Sequence, residues 1–535
     1  MIPRTARIFI ILWILLGLIN AEPLVLSRAS TSGQNAEAQE VSEASIFFPL
    51  AAHFRRGPDI RSPFSLQIAA FQLLQEGALE NGSISNQVLG EKSTAVLENQ
   101  AYTNLVSALK DSGADWARVR LEWEHIEPNA PVDGQSPEYY WQFYDDALGS
   151  VAEADVRIIA TVSDSPSWAA DVPCAPIHLH RLDEYSRFIK DLVTRYRGHP
   201  YYINHWELVN EPDSNRYTTG HLSGHGCWAY DGDRYADMLA VAFNTIKKVD
   251  PQAQVLMGGI AYDWFEEYGG PFYRYFPDEV MQSGGGSYMD ALNFHFYTDF
   301  SPEWDRWNPK SPDRRYGWIP APTCGEVDDG LGAAYEVSGF DIVAKTTHYQ
   351  NRMNTCYGVT KPVWVTEVGD HGYPGDQNSL DNQARYVIKV YTRALSAGVK
   401  NVTWYSLDRP LYDRYEQALL NLDLSPKPAF IAYQTLTREL NGYYEYSHDR
   451  NNCSWGDSGV SCSVEAYVFK DDNQNEVTVA WGSDILKFSA NKLRIVDRNG
   501  KETIVKDGSS KDNDGIVNGK IKLKLSKEPL FIIEW

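Results

Sequence analysis

The chain has 535 residues, 43% of them hydrophobic, enough for one large core and a smaller companion domain. Its 49 Lys and Arg stand against 71 Asp and Glu, a net charge of −22, and such a surface repels phosphate backbones, which argues against nucleic acid as a partner. The charge by itself names no substrate, because an acidic surface also serves solubility.

Residues 1–21, MIPRTARIFIILWILLGLINA, place Arg4 and Arg7 ahead of an apolar run from Ile8 to Ile19 and read as a secretory signal. The expected location is therefore extracellular, with no stable membrane insertion after cleavage; an uncleaved N-terminal anchor is the alternative. Residues 22–45, rich in Ser, Ala, Gln and Glu with few bulky side chains, read as a disordered linker.

Residues 46–440 alternate short apolar runs with longer helical patterns, the texture of parallel strands joined by crossover helices. The strand candidates are SLQIAAF (65–71), DWARVRLEW (115–123), VRIIATVSD (156–164), INHWELVNE (203–211), AQVLMGGIA (253–261), DALNFHFYT (290–298), PVWVTEVGD (362–370) and VKNVTWYSL (399–407). Eight such strands close a (β/α)₈ TIM barrel, so the expected class is α/β. The clearest helical spacing falls on 182–198 and 381–398, each ending in Gly. An open doubly wound sheet has the same local alternation, but no Gly-rich phosphate turn follows the first strand. A long insertion rich in Pro and Trp, 301–335, follows the sixth strand and is expected to roof part of the pocket. Residues 441–535 switch to short alternating runs (VEAYVFK, EVTVAWG, LRIVDRNG, KIKLKLS, PLFIIEW), an antiparallel β-sandwich expected to buttress the barrel.

The six cysteines suit structural disulfides in an exported chain. Cys453 and Cys462 bracket a short turn-rich segment and are the first candidate bridge; Cys174 with Cys227 and Cys324 with Cys356 would complete a set, although six cysteines permit fifteen pairings. No CxxC pair and no HExxH occurs, so neither a metal nor a cofactor is expected.

In a barrel of this kind, chemistry sits where the strands end and the following loops begin. The fourth strand runs into Asn210-Glu211-Pro212 and the seventh into Thr366-Glu367-Val368. Asn and Glu are poor strand residues and Pro cannot donate to a ladder, so the break in pattern points to function. Strands four and seven face each other across a closed barrel of eight. Two carboxyls converging from opposite sides are what glycoside hydrolysis uses: one protonates the leaving oxygen, the other attacks or activates water.

HWELVNEP together with VWVTEVG resembles the signature of the clan A retaining glycoside hydrolases. That resemblance implies Glu211 as acid/base, Glu367 as nucleophile, and Asn210 as the group holding the sugar 2-hydroxyl. GADWARVRLEW is similar to the clan's second strand, which implies that Arg118 hydrogen-bonds the nucleophile. DALNFHFYT implies His295 near substrate and Tyr297 against the nucleophile. NVTWYS implies Trp404 as an aromatic floor under the sugar, and SPSWA brings Trp168 as another pocket wall. The Glu-x-x-Asn-Glu-Pro run from Glu207 to Pro212, with His295 and the appended sandwich, looks most like family 39, with family 5 the close rival. The departures are Val209 where family 39 members often carry Trp, and Val368-Gly369-Asp370 where they often carry Asn.

The expected activity is cleavage of a β-linked oligo- or polysaccharide by double displacement through a covalent glycosyl-enzyme. Two alternatives stay open. A transglycosylase uses the same intermediate, and a catalytically inactive carbohydrate-binding barrel would keep the fold without needing the acid.

Overall fold

The computed structural model describes residues 61–69, 103–215, 227–297, 324, 337–409 and 416–534 apart from 457–458, all within the unit Arg55–Trp535. The expected signal (1–21), the expected linker (22–45) and nearly all of the 301–335 insertion lie outside the described residues.

Eight parallel strands form the barrel: β1 (Phe64–Gln67), β2 (Trp116–Glu122), β3 (Arg157–Ser163), β4 (His205–Leu208), β5 (Gln254–Met257), β6 (Leu292–Tyr297), β7 (Val363–Gly369) and β8 (Asn401–Trp404). Seven fall inside the runs singled out in the sequence, and β1 begins one residue before its run, at Phe64. The hydrogen-bonded order runs from β5 through β4, β3, β2, β1, β8 and β7 to β6. Parallel bridges Leu256 to Ala291 and Ile260 to Phe294 join the two ends. The sheet is closed, and the open doubly wound alternative is set aside.

The helices are α1 (103–112), α2 (Trp123–Ile126), α3 (Gln142–Ala152), α4 (Leu182–Tyr196), α5 (Gly232–Val249), α6 (Phe276–Gln282), α7 (Ile342–Tyr357), α8 (Gln377–Ser396) and α9 (Pro428–Glu439). Helix α8 starts four residues before the expected 381, because the Asp376 carboxylate caps it by accepting from Asn378 N–H (3.0 Å) and Ser379 N–H (3.2 Å). Gly398 then takes the left-handed conformation (φ 82°) that turns the chain into β8.

After α9 the chain becomes antiparallel: β9 (Glu445–Asp449), β10 (Asn452–Gly456), β11 (Gly459–Lys470), β12 (Glu476–Gly482), β13 (Ile485–Phe488), β14 (Lys492–Asp497), β15 (Glu502–Lys506), β16 (Ile521–Lys524) and β17 (Leu530–Glu534). Alternation decides which side chain faces where. Phe469, Val477, Val479, Trp481 and Phe531 join the barrel's core, whereas Val464, Ala466, Ala480, Leu493 and Ile532 pack on Leu486, Phe488, Ile521 and Leu523 of the β13–β16 pair. Arg393 of α8 ties the two domains by a bidentate pair to Glu465 of β11 (2.9 and 3.0 Å). These shared contacts fit the expected buttressing role.

The disulfides are Cys174–Cys227, Cys324–Cys356 and Cys453–Cys462, the last joining residues directly opposite each other on β10 and β11. Three bridges suit an oxidising compartment. No helix among the described residues is long and apolar enough to cross a membrane.

Candidate active site

The site grows out of the inward-facing positions of the strands. In β1 and β2 the directly paired residues Gln67 and Arg118 both point into the barrel. The Arg118 guanidinium is buried and fully engaged: Nε and Nη2 donate to Glu207 (2.7 and 3.0 Å), Nη1 to Glu367 Oε1 (2.7 Å) and Gln67 Oε1 (3.0 Å), and Nη2 to Asn210 Oδ1 (2.8 Å). Because a guanidinium only donates, Asn210 must turn its oxygen to Arg118, which leaves its NH₂ as the group it can offer to a ligand.

Glu367 reaches this layer through an irregularity. His295 pairs with Glu367 while Phe294 pairs with Val365, so Thr366 is an extra residue in β7. Such a bulge re-aims side chains. Here Thr366 and Glu367 both turn inward, Thr366 Oγ1 donating to Glu207 (2.9 Å) and Glu367 accepting from Arg118 and from Tyr297 Oη (2.6 Å).

On the opposite side β4 stops at Leu208, and Val209 (φ 70°) and Glu211 (φ 44°) take left-handed conformations that non-glycine residues rarely adopt. Neighbouring groups hold this turn. Tyr235 Oη donates to the Leu208 carbonyl (2.6 Å) and Glu211 N–H donates to the Gly259 carbonyl (3.0 Å). Gly258 and Gly259 leave the room required: a Cβ at Gly258 would stand 2.4 Å from the Val209 carbonyl oxygen, and one at Gly259 would stand 2.2 Å from His295 Nε2. Strand β4 breaks at Asn-Glu-Pro because the chain leaves the ladder to present Glu211 over the mouth.

Glu211 and Glu367 meet at His295. Its Nδ1 lies 3.0 Å from Glu211 Oε1 and 3.6 Å from Glu367 Oε2, and one carboxylate oxygen from each glutamate falls within 4.8 Å of the other. Burial opposes the charge on His295, but Glu367 and the hydrogen bond to Glu211 outweigh it and raise its pKa. Burial likewise opposes ionisation of Glu367, yet His295, Arg118 and the Tyr297 hydroxyl hold its carboxyl below the usual range. Tyr297 is pushed well above an ordinary phenol by burial and by Glu367, so it remains a donor.

Glu211, His295 and Glu367 are of metal-ligating type. The environment is wrong for a cation, however: both Glu367 oxygens already accept hydrogen bonds, one of them from a guanidinium 2.7 Å away that would repel an ion.

Two expected residues are placed differently. Trp404 is fully buried, and its ring lies 6.3 Å from Tyr386 of α8 with Nε1 donating to the Gln417 carbonyl (2.9 Å). It pairs with outward-facing Leu66, so alternation turns it to the helix layer, and it offers no face to a sugar. The next residue, Tyr405, is half-buried with its ring 6.5 Å from that of Tyr297. Trp168 packs on Trp123 (5.2 Å) and lies under Arg181, its Nε1 bonded to the Glu127 carbonyl (3.1 Å); these described neighbours belong to the shoulder of the mouth rather than to the carboxylates.

Glu207, which the sequence pattern marks only as the start of the Glu-x-x-Asn-Glu-Pro run, belongs to the site. It is completely buried and accepts from Arg118, Thr161 (2.8 Å), Gly259 N–H (3.1 Å), Asn293 (3.0 Å) and Thr366 (2.9 Å). Burial works against its charge, but Arg118 more than compensates and holds its pKa below the usual range. The signal was present in β4, where His205 and Glu207 alternate with outward Trp206 and Leu208.

The sequence profile described as Cellulase (glycosyl hydrolase family 5) matches residues 83–407. The chain belongs to glycosyl hydrolase family 5. It is thus an O-glycosyl hydrolase of clan A, the retaining, two-glutamate group, and it acts on carbohydrate. Solved structures share the fold of this family 5 chain. A family 39 glycoside hydrolase from the gut symbiont Bacteroides cellulosilyticus WH2 superposes with TM-score 0.55 at 19% identity, over 82% of this chain and 79% of that one. A family 39 β-xylosidase from Caulobacter crescentus gives 0.51 at 14% identity over 90% and 97%, and a glucosidase from Croceicoccus marinus gives 0.51 at 14% over 80% and 90%. No curated protein sequence matches. The clan resemblance is borne out, with family 5 carried by the sequence and family 39 represented among proteins of the same fold.

Proposed function

We propose that this family 5 enzyme is an exported retaining glycosidase that cleaves a β-linked oligo- or polysaccharide, with Glu367 as nucleophile and Glu211 as acid/base. The observation that carries the assignment is the approach of the two carboxylates within 4.8 Å across the mouth. Retaining enzymes keep the pair about 5 to 5.5 Å apart, whereas inverting ones leave about 6.5 Å or more for a water.

Glu367 is held ionised by Arg118, His295 and Tyr297, as attack on the anomeric carbon requires. Glu211 is the more exposed of the two and lies nearer the solvent-facing side, where the leaving group departs and water later enters. It gives its proton to the glycosidic oxygen in the first step and takes one from water in the second. The Asn210 NH₂ is free of Arg118's demand and suits the 2-hydroxyl. Tyr405, rather than Trp404, supplies the aromatic surface beside the sugar.

The test is a screen of aryl glycosides and β-glucans with the wild type beside Glu367→Ala and Glu211→Ala, following product anomers by NMR. Net retention is expected, and azide should restore turnover of an activated substrate by Glu211→Ala as a glycosyl azide of retained configuration, since azide displaces Glu367 from the glycosyl-enzyme. Initial release of the inverted anomer would overturn the proposal.

A further inference from the structure

Behind the acid/base lies a second layer that neither reaction step uses. Two residues beyond Glu211, Asp213 is fully buried, and its carboxylate accepts from two successive backbone amides of the loop after β5, Ala261 N–H (3.0 Å) and Tyr262 N–H (2.8 Å). The carbonyl of the same Ala261 accepts from Nζ of Lys345 (2.5 Å), a fully buried residue of α7. Lys345 also donates to Asp263 Oδ2 (3.1 Å) and to the carbonyl of His295 (2.8 Å). His295 in turn touches the Glu211 carboxylate through Nδ1. The contacts close a ring. It starts at the backbone just past Glu211, crosses the β5 loop and Lys345, and returns to the histidine that meets the Glu211 side chain.

The charged forms of these two groups are disfavoured by burial. Burial pushes Asp213 up to about 7 in spite of its two amide donors, and burial draws Lys345 down against the pull of Asp263. Among the described residues Lys345 forms its close ion pair with Asp263, and Asp213 attracts it only from farther off. Ionisable groups buried on such terms add little to folding, which directs attention to what they orient. What they adjoin is the strained stretch, with left-handed φ at Val209, Glu211 and Tyr262 (70°, 44° and 49°). Such conformations persist only where the surroundings over-determine them.

We propose that Asp213 and Lys345 are positioning residues that hold Glu211 on its strained turn and against His295. The inference rests on the reading of Glu211 as acid/base. The hydrogen bonds that hold Glu367 come from outside the ring, from Arg118 and Tyr297, and its one tie to the ring is His295 at 3.6 Å. Loosening the ring therefore harms proton donation more than attack.

The signature is a dependence on the leaving group. Full-length Asp213→Asn and Lys345→Gln are compared with wild type and Glu211→Ala on aryl glycosides of the preferred sugar, from dinitrophenyl to phenyl. Asp213→Asn is expected to lower kcat/KM for the phenyl glycoside about 10- to 100-fold, because a small misplacement of a general acid costs on that order. The dinitrophenyl glycoside, whose leaving group needs little protonation, should lose less than about threefold. Lys345→Gln should show the same gradient and carries the test if Asp213→Asn does not fold, as judged by its circular dichroism melt. A loss equal across leaving groups, or no loss in a folded variant, overturns the proposal. If Glu211→Ala shows the gradient and the two variants do not, only the positioning role fails; if Glu211→Ala itself lacks it, the acid/base assignment falls as well.

Discussion

The two ends of the barrel interior each bury a histidine and bring it to opposite states. Near the starts of the strands, His205 lies 5.3 Å from the ring of Trp364 and 4.7 Å edge-on from Trp116, and burial, with Arg157 and Lys247 adding to it, pushes its pKa down to about 3. At the mouth, burial acts on His295 in the same direction, but Glu367 and Glu211 outweigh it and lift its pKa above the ordinary value. The imidazole is the same in both places. An apolar, aromatic floor keeps one neutral, and a pair of carboxylates lets the other carry a proton, so the fold's stability and its chemistry are separated along one axis.

The largest effect should come from removing the mouth's negative pole. Glu367→Ala is expected to lower kcat by about four orders of magnitude or more, as loss of a nucleophile usually does, and to lower the thermal midpoint, because Arg118 is left with Glu207 as its carboxylate partner. Steady-state kinetics and a melt separate the two. Arg118→Gln leaves Glu207 buried among neutral donors and should destabilise the fold by about 3–5 kcal/mol, read from urea unfolding, while also abolishing activity. An Arg118→Gln protein of wild-type stability would break the view that this one guanidinium balances the mouth.

The pH dependence of stability sharpens the comparison further. Glu207 and Glu367 titrate below their ordinary 4.5 in the folded chain, so the stabilisation they draw from Arg118 is complete above that pH and is lost as pH falls through their lower folded values. Asp213 has the opposite sign. With its pKa raised from 3.8 to about 7, the folded state binds its proton more tightly than the unfolded one, so stability declines as pH rises through that interval. Melts across pH 3 to about 8 should show both slopes, and Asp213→Asn should reduce the second, to which Glu124, also raised to about 7, contributes the same sign. The smallest effect belongs to the floor. His205→Phe exchanges one buried ring for another and should change stability by less than about 1.5 kcal/mol with kcat untouched. A collapse of activity in that variant would mean that the two ends are not independent.

Much of this arrangement was legible in the sequence for a physical reason: strand, loop and helix leave periods that need no partner to be read. All eight barrel strands match expected runs to within one residue, and Glu211 stands out because Asn-Glu-Pro cannot continue a ladder. Glu207 was legible but unread, since a carboxylate at an inward position of a buried strand calls for a buried cation. Tyr405 and Trp404 are a different matter. Adjacent aromatics at a strand end exchange faces with a shift of one residue, and only the pairing of Trp404 with Leu66 decides which one looks inward.

Local pattern by itself determined the barrel, the β-sandwich and the two acidic strand ends, because backbone periodicity and broken ladders are properties of neighbours in the chain. The extra residue in β7, the left-handed turn at Glu211 and the ring through Asp213, Ala261, Lys345 and His295 were decided only by tertiary structure. Their causes are contacts between residues tens of positions apart, and a carboxylate's charge state depends on which distant guanidinium, imidazole or amide the fold sets beside it.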